Sequence, residues 1–265
     1  MNNKVFPAIF VSHGAPTLVL ETSEAHLFLR GLGSEIVKSY GKPKAILAVS
    51  AHWETIVPAV SAAEKPETIY DFGGFSPELY KITYPAPGAP ELARRTGELL
   101  RENDISFQIS PDRGLDHGAW VPLKLLFPEA DIPVAQFSVL RESSAAAHYK
   151  IGQALAELRR EGVLVIGLGS LTHNLRAINR TNETPIWARE FDDWFFDKIA
   201  ADDIESLLDY ERLAPHAKSA HPTPEHLLPV FTAMGAGDFP KQKAACLHRS
   251  WTYGSLSMTS YSFGN

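Results

Sequence analysis

The chain has 265 residues, 45% of them hydrophobic and 21% charged, with a formal net charge of -6. This is globular composition, and the acidic balance excludes a nucleic-acid backbone as the main partner, because such binders gather Lys and Arg on one face. One cysteine, Cys246, excludes an intrachain disulfide and any cysteine-rich zinc or iron–sulfur centre; it fits a reducing cytoplasm and leaves His, Asp and Glu as metal donors.

The opening MNNKVFPAIFVSHG lacks a charged region followed by a long apolar stretch, so no secretory leader is expected. No apolar run approaches the roughly 18 to 20 residues that a membrane span needs. Residues 5–11 form an apolar, β-branched run that stops at Ser12-His13-Gly14-Ala15-Pro16, which reads as a buried strand entering a loop. Residues 45–49 repeat this pattern ahead of Ser50-Ala51-His52-Trp53, and residues 163–168 repeat it ahead of Gly169-Ser170-Leu171-Thr172-His173-Asn174. Segment 70–88 is rich in Gly, Pro and aromatics, so it is expected to be an irregular loop of the kind that walls a binding site. Helix periodicity is expected over 90–100, 145–160 and 187–199, with Pro90 suited to a first turn, and further strands over 106–109, 134–139 and 256–263.

No linker or composition break divides the chain, so residues 1–265 read as a single α/β domain with a central, mainly parallel or mixed sheet flanked by helices. Ligands of such sheets gather beyond the carboxyl ends of the strands. His13, His52 and His173 each follow an apolar strand, among small or polar neighbours, and therefore point to a shared cleft. His117 lies in Leu115-Asp116-His117-Gly118, where Asp116 or another acceptor could fix its tautomer. His226 lies in Pro222-Thr223-Pro224-Glu225-His226, with Thr223 or Pro224 placed to open a helix that carries it. His26, His148, His216, His221 and His248 have no comparable context and read as surface residues.

The motifs VSHGAP, VSAHW, YDFGGFSPELYKITYPAPG, LDHGAW, GSLTHNLR, HPTPEHLLPV and GSLSM follow one another along nearly the whole chain. In this set and order the sequence resembles the class III extradiol ring-cleavage dioxygenases, specifically the 4,5-DOPA dioxygenase extradiol branch of the LigB-type superfamily. The resemblance implies a LigB-like fold and the opening of a small-molecule catechol, DOPA-like, with O2 at a non-haem metal. It implies His13 and His52 as metal ligands. The third ligand is a carboxylate in the wider superfamily and a histidine in this branch, which falls on His226. Adjacent Glu225 is the alternative, since neighbours on a helix point about 100° apart and both cannot serve one ion. His173 corresponds to the acid–base position, with a metal contact left open, and His117 to binding of a catechol oxygen. Fe(II) is the ion expected for activity, and Zn(II) could occupy the same imidazoles. Two other readings stand beside this one: a zinc hydrolase with Glu225 as base, and a non-catalytic interaction protein, against which the presence of all five histidines counts. A homo-oligomer is left open.

Overall fold

The computed structural model describes residues 4–179 and 183–264. Its strands are β1 (Ala8–Ser12), β2 (Ala45–Thr55), β3 (Ala59–Ser61), β4 (Gln108–Ser110), β5 (Val134–Leu140), β6 (Val163–Gly169), β7 (Ala244–His248), β8 (Trp251–Thr252), β9 (Leu256–Ser257) and β10 (Ser260–Phe263). The helices are α1 (Glu24–Tyr40), α2 (Pro90–Glu102), α3 (His117–Leu126), α4 (Ala145–Ala154), α5 (Ile186–Ala200), the short α6 (Ile204–Leu208), α7 (Tyr210–Leu213) and α8 (Ala217–Ala220), and α9 (Leu228–Ala236).

Eight strands form one mixed sheet in the order β4-β3-β5-β2-β6-β1-β10-β7, and β8 and β9 pair separately. Its centre, β5-β2-β6-β1, is parallel, while β3 and β10 join antiparallel on either side. The central strands are continuous apolar runs because helices cover both faces. Alternate side chains therefore feed two cores: Phe10, Leu47, Val49 and Val165 face one, with Phe191 of α5 and Phe231 of α9. Ile9, Val11, Ile46, Ala48 and Ile166 face the other, with Leu29 of α1 and Trp120 of α3. This is the α/β sheet flanked by helices that the sequence pattern implies.

Several elements differ from expectation. Helix α1 falls in a stretch for which the sequence pattern carries no expectation, and Gly33 within it is a packing glycine: a β-carbon there would stand 1.7 Å from the Leu126 carbonyl oxygen on α3. Segment 145–160 divides into α4 and a 3-10 turn, Ala156–Arg159, and segment 256–263 divides into β9 and β10. Segment 70–88 is irregular apart from a 3-10 turn at Leu79–Lys81. The surface reading of the remaining histidines holds for His216 and, in part, His248, but His26, His148 and His221 are buried. Each satisfies a ring nitrogen inside, on the carbonyls of Leu18, Ser144 and Leu171 respectively, which is what permits an imidazole to leave water. Among the described residues, no helix is long and apolar enough to cross a membrane.

Candidate metal centre

Parallel register aligns the strand ends. Ser12 of β1 is level with Gly169 of β6, and Ser50 of β2 with Leu168, so His13, His52 and the loop to His173 emerge from one edge of three adjoining strands. His52 does not follow its strand as expected; β2 continues to Thr55, with a register irregularity between Ser50 and Glu54. Nor does a helix carry His226, which stands in the turn before α9 begins at Leu228. Its carbonyl accepts the Ser170 N–H at 2.8 Å. That approach needs glycine next door, because a β-carbon on Gly169 would come within 2.1 Å of the same carbonyl oxygen.

His117 is the first residue of α3, whose N-cap, Asp116, accepts the Ala119 N–H at 3.1 Å. Asp116 is fully buried and also receives the Ser50 hydroxyl at 2.7 Å, Arg113 at 2.8 Å and the Gln136 amide. This carboxylate therefore ties the start of α3 to β2 and β5. It does not set the His117 tautomer; of the two possibilities the sequence left open, Asp116 or another acceptor, the second holds. That acceptor is Asp71: its Oδ1 accepts both the His117 backbone N–H and Nδ1–H, each at 2.9 Å. Asp71 Oδ2 lies 3.3 Å from His52 Nδ1. Sequence reasoning missed Asp71, and its only signal was an acidic side chain standing among the aromatics of segment 70–88.

His13, His52 and His226 share one arrangement. The His13 Nδ1–H donates to the Gly14 carbonyl at 2.7 Å, and the His226 Nδ1–H to Glu225 Oε1 at 2.8 Å. With each Nδ1 so engaged, the Nε2 atoms face inward, 3.2 Å from His13 to His52 and 3.2 Å from His52 to His226. Burial, reinforced by the neighbouring imidazoles, holds His13 and His226 well below the ordinary histidine pKa. Lone pairs with no proton between them thus confront one another inside the protein, an arrangement that a cation relieves. The spacing suits one: with metal–nitrogen bonds of about 2.0–2.1 Å, two ligands in tetrahedral or similar geometry stand roughly 3 Å apart.

Two other clusters also bring donors within 4.8 Å of one another, His52-Asp71-His117 and His173-Glu225-His226. In both, an imidazole nitrogen that faces the carboxylate carries the proton it donates, so that nitrogen has no lone pair for an ion. Glu225 is the partner of His226 Nδ1, and it also accepts the Thr223 hydroxyl at 3.1 Å. Glu225 thus stands on the Nδ1 side of His226, away from the Nε2 that faces His52.

The two remaining histidines flank the cluster. The His117 ring stands 4.0 Å from the His52 ring and 5.6 Å from that of His13, centre to centre. His173 stacks on His226 at 3.4 Å, the rings nearly parallel at 8°. Burial and, secondarily, His221 push His173 down to about 3. All five imidazoles line one cavity of about 1060 Å³, walled by Phe72, Phe75 and Ile178 and edged by Tyr253 and Arg176.

A family profile described as the catalytic LigB subunit of aromatic ring-opening dioxygenase matches residues 7–264. The chain is 46% identical, over 96% of its length and 95% of the relative's, to a Beta vulgaris protein named 4,5-DOPA dioxygenase extradiol. An Escherichia coli protein of the same name is 36% identical, over 100% and 97% of the two lengths. A crystal structure of an uncharacterized protein from E. coli K12 superposes with a TM-score of 0.81 at 33% identity, covering 98% of this chain and 100% of that one.

Proposed function

The chain belongs to the LigB family of aromatic ring-opening dioxygenases and is an extradiol dioxygenase, and from that premise we propose that residues 1–265 form one catalytic domain that opens a DOPA-like catechol with O2. In this reading His13, His52 and His226 hold a non-haem ion, Fe(II) for activity, with Zn(II) able to occupy the same donors. The observation that carries it is the convergence of three Nε2 atoms, that of His52 lying 3.2 Å from those of the buried His13 and His226, with each Nδ1 facing another acceptor. A redox-active divalent ion bound there would acidify the catechol hydroxyls and let ring and O2 exchange electrons, which the filled d shell of zinc does not.

The protein's own groups divide the remaining work. His173 has no side-chain hydrogen bond within the described residues, and burial keeps its ring neutral with a lone pair to offer, so it can take a proton from a catechol hydroxyl that a bound ion would acidify and return it later. His117, whose Nδ1–H is held by Asp71, offers its Nε2 lone pair to the other catechol oxygen. Phe72 and Phe75 cover the aromatic ring and keep water from it. The cavity far exceeds a bare catechol. Arg176, the one Lys or Arg among its described lining residues, makes no side-chain hydrogen bond or ion pair with the described residues and suits a carboxylate on the substrate's side chain.

The test is an oxygen-electrode assay with DOPA after anaerobic loading with Fe(II), run beside metal analysis of two variants. Stoichiometric oxygen uptake with a ring-opened product is expected; ester or amide cleavage without oxygen uptake would instead establish hydrolysis. His226→Ala should lose stoichiometric metal, whereas His173→Ala should keep it while turnover disappears. Loss of metal from His173→Ala would make that residue a ligand.

A further inference from the structure

Asp71 stands outside the proposed ligand set and outside the proton-handling pair, yet it touches one member of each. Its carboxylate receives the His117 backbone N–H and Nδ1–H on one oxygen and faces His52 Nδ1 with the other. Two functional imidazoles from different elements, β2 and α3, thus meet a single acceptor from segment 70–88. We propose that Asp71 is a positioning residue that holds His52 and His117 in the Nδ1–H tautomer together, turning both Nε2 lone pairs to the cavity; this rests on the metal set assigned above.

The chemistry is specific to a carboxylate. A neutral imidazole has two tautomers, and the group facing Nδ1 selects between them. A carboxylate, with an acceptor oxygen facing each ring, favours Nδ1–H on both. An asparagine at this place has one carbonyl oxygen and one amide NH2. If the NH2 faced His117 it would oppose two N–H donors; if it faced His52 it would oppose one. The carbonyl therefore stays with His117, and the NH2 meets His52. His52 then answers with a bare Nδ1 and a proton on Nε2, the nitrogen 3.2 Å from those of His13 and His226. A metal must displace that proton to bind.

The same carboxylate links the centre to the aromatic wall, because Phe72, next in sequence, packs edge-on to the His117 ring at 5.5 Å. A purely structural role in ordering the segment would make loss of Phe72 equivalent to loss of Asp71. The positioning role makes them different.

The experiment titrates apo-protein with Zn(II) against a chromogenic chelator for the wild type, Asp71→Asn, Asp71→Glu, Phe72→Ala and His226→Ala, and assigns the His52 tautomer by long-range 1H–15N correlation in the metal-free state. Asp71→Asn is expected to weaken zinc binding 10- to 100-fold, the usual consequence of losing the outer partner of a ligating histidine. His52 should shift from Nδ1–H to Nε2–H. Asp71→Glu should recover part of the affinity, and Phe72→Ala should bind zinc within threefold of the wild type. Zinc affinity unchanged in Asp71→Asn, an unchanged His52 tautomer, or an equal loss in Phe72→Ala would each overturn the proposal. If His226→Ala also binds zinc normally, the metal assignment itself fails; if only Asp71→Asn does, the assignment stands and the positioning role alone falls.

Discussion

The candidate centre has two halves of different origin. His13 directly follows β1 and His52 stands near the end of β2, two parallel strands that flank β6, and sheet register brings them level. His226, Glu225 and Asp71 come from irregular backbone, and their placement depends on particular contacts: the Ser170–His226 backbone hydrogen bond, the bare Cα of Gly169, and the shared acceptance by Asp71. Strand ends deliver side chains to a place. Loops decide which nitrogen each of them presents.

The largest effect should separate ligand from orienting partner. His13→Ala removes one of the three converging Nε2 atoms, and stoichiometric zinc binding is expected to disappear, with oxygen uptake below about 1% of the wild type. Glu225→Ala leaves all three in place but frees His226 Nδ1, and a 10- to 100-fold loss of zinc affinity is expected. Calorimetric zinc titration of both variants checks the order. If Glu225→Ala lost metal as completely as His13→Ala, Glu225 would be a ligand, and the division between the two halves would be wrong.

The strand half was legible in the sequence because central parallel strands are β-branched and apolar on both faces, although the polar end of β2 from His52 to Thr55 did not read as strand. Strands β3 and β4, of three residues each, carry too few positions for any period to show. Helix α1 went unread, and one of its glycines, Gly33, is there because the crossing with α3 demands it. His226 was reached through resemblance to a family and not through pattern, since the turn that holds it is punctuated by Pro222 and Pro224 and has no periodicity. Asp71 was not legible at all: it is 46 positions from His117, and the pairing exists only once segment 70–88 has folded over α3. Asp116, the acceptor adjacent in sequence, is instead spent on the helix cap and on Ser50, Arg113 and Gln136.

His148 sharpens the contrast from outside the centre. It is buried in α4, its Nδ1–H given to the Ser144 carbonyl and its Nε2 accepting the Leu140 N–H at 3.0 Å. Burial pushes it down to about 4, so the folded protein declines a proton that the unfolded chain accepts near the ordinary value of 6.5. Stability contributed in this way is fully present above 6.5 and is lost as pH falls toward 4. By linkage the loss amounts to about 3 kcal/mol. Urea denaturation of apo-protein should therefore show the advantage of wild type over His148→Gln narrowing by about that amount between pH 7 and pH 4. A gap independent of pH would mean that His148 titrates normally in the fold.

The smallest effect concerns the outer end of the cavity, where Arg176 is exposed. A guanidinium paired with a carboxylate in contact with solvent contributes about 1 kcal/mol at most, roughly a fivefold change in binding. Arg176→Gln is thus expected to raise KM for DOPA about fivefold, with kcat nearly unchanged, because the contact forms before the reaction and persists through it. Catechol itself, which has no carboxylate, should show no change in either constant. The difference between the two substrates is the informative quantity: an equal rise in KM for both would assign Arg176 to shaping the loop after β6, and a fall in kcat for DOPA alone would mean that the side-chain contact aligns the ring as well as holding it.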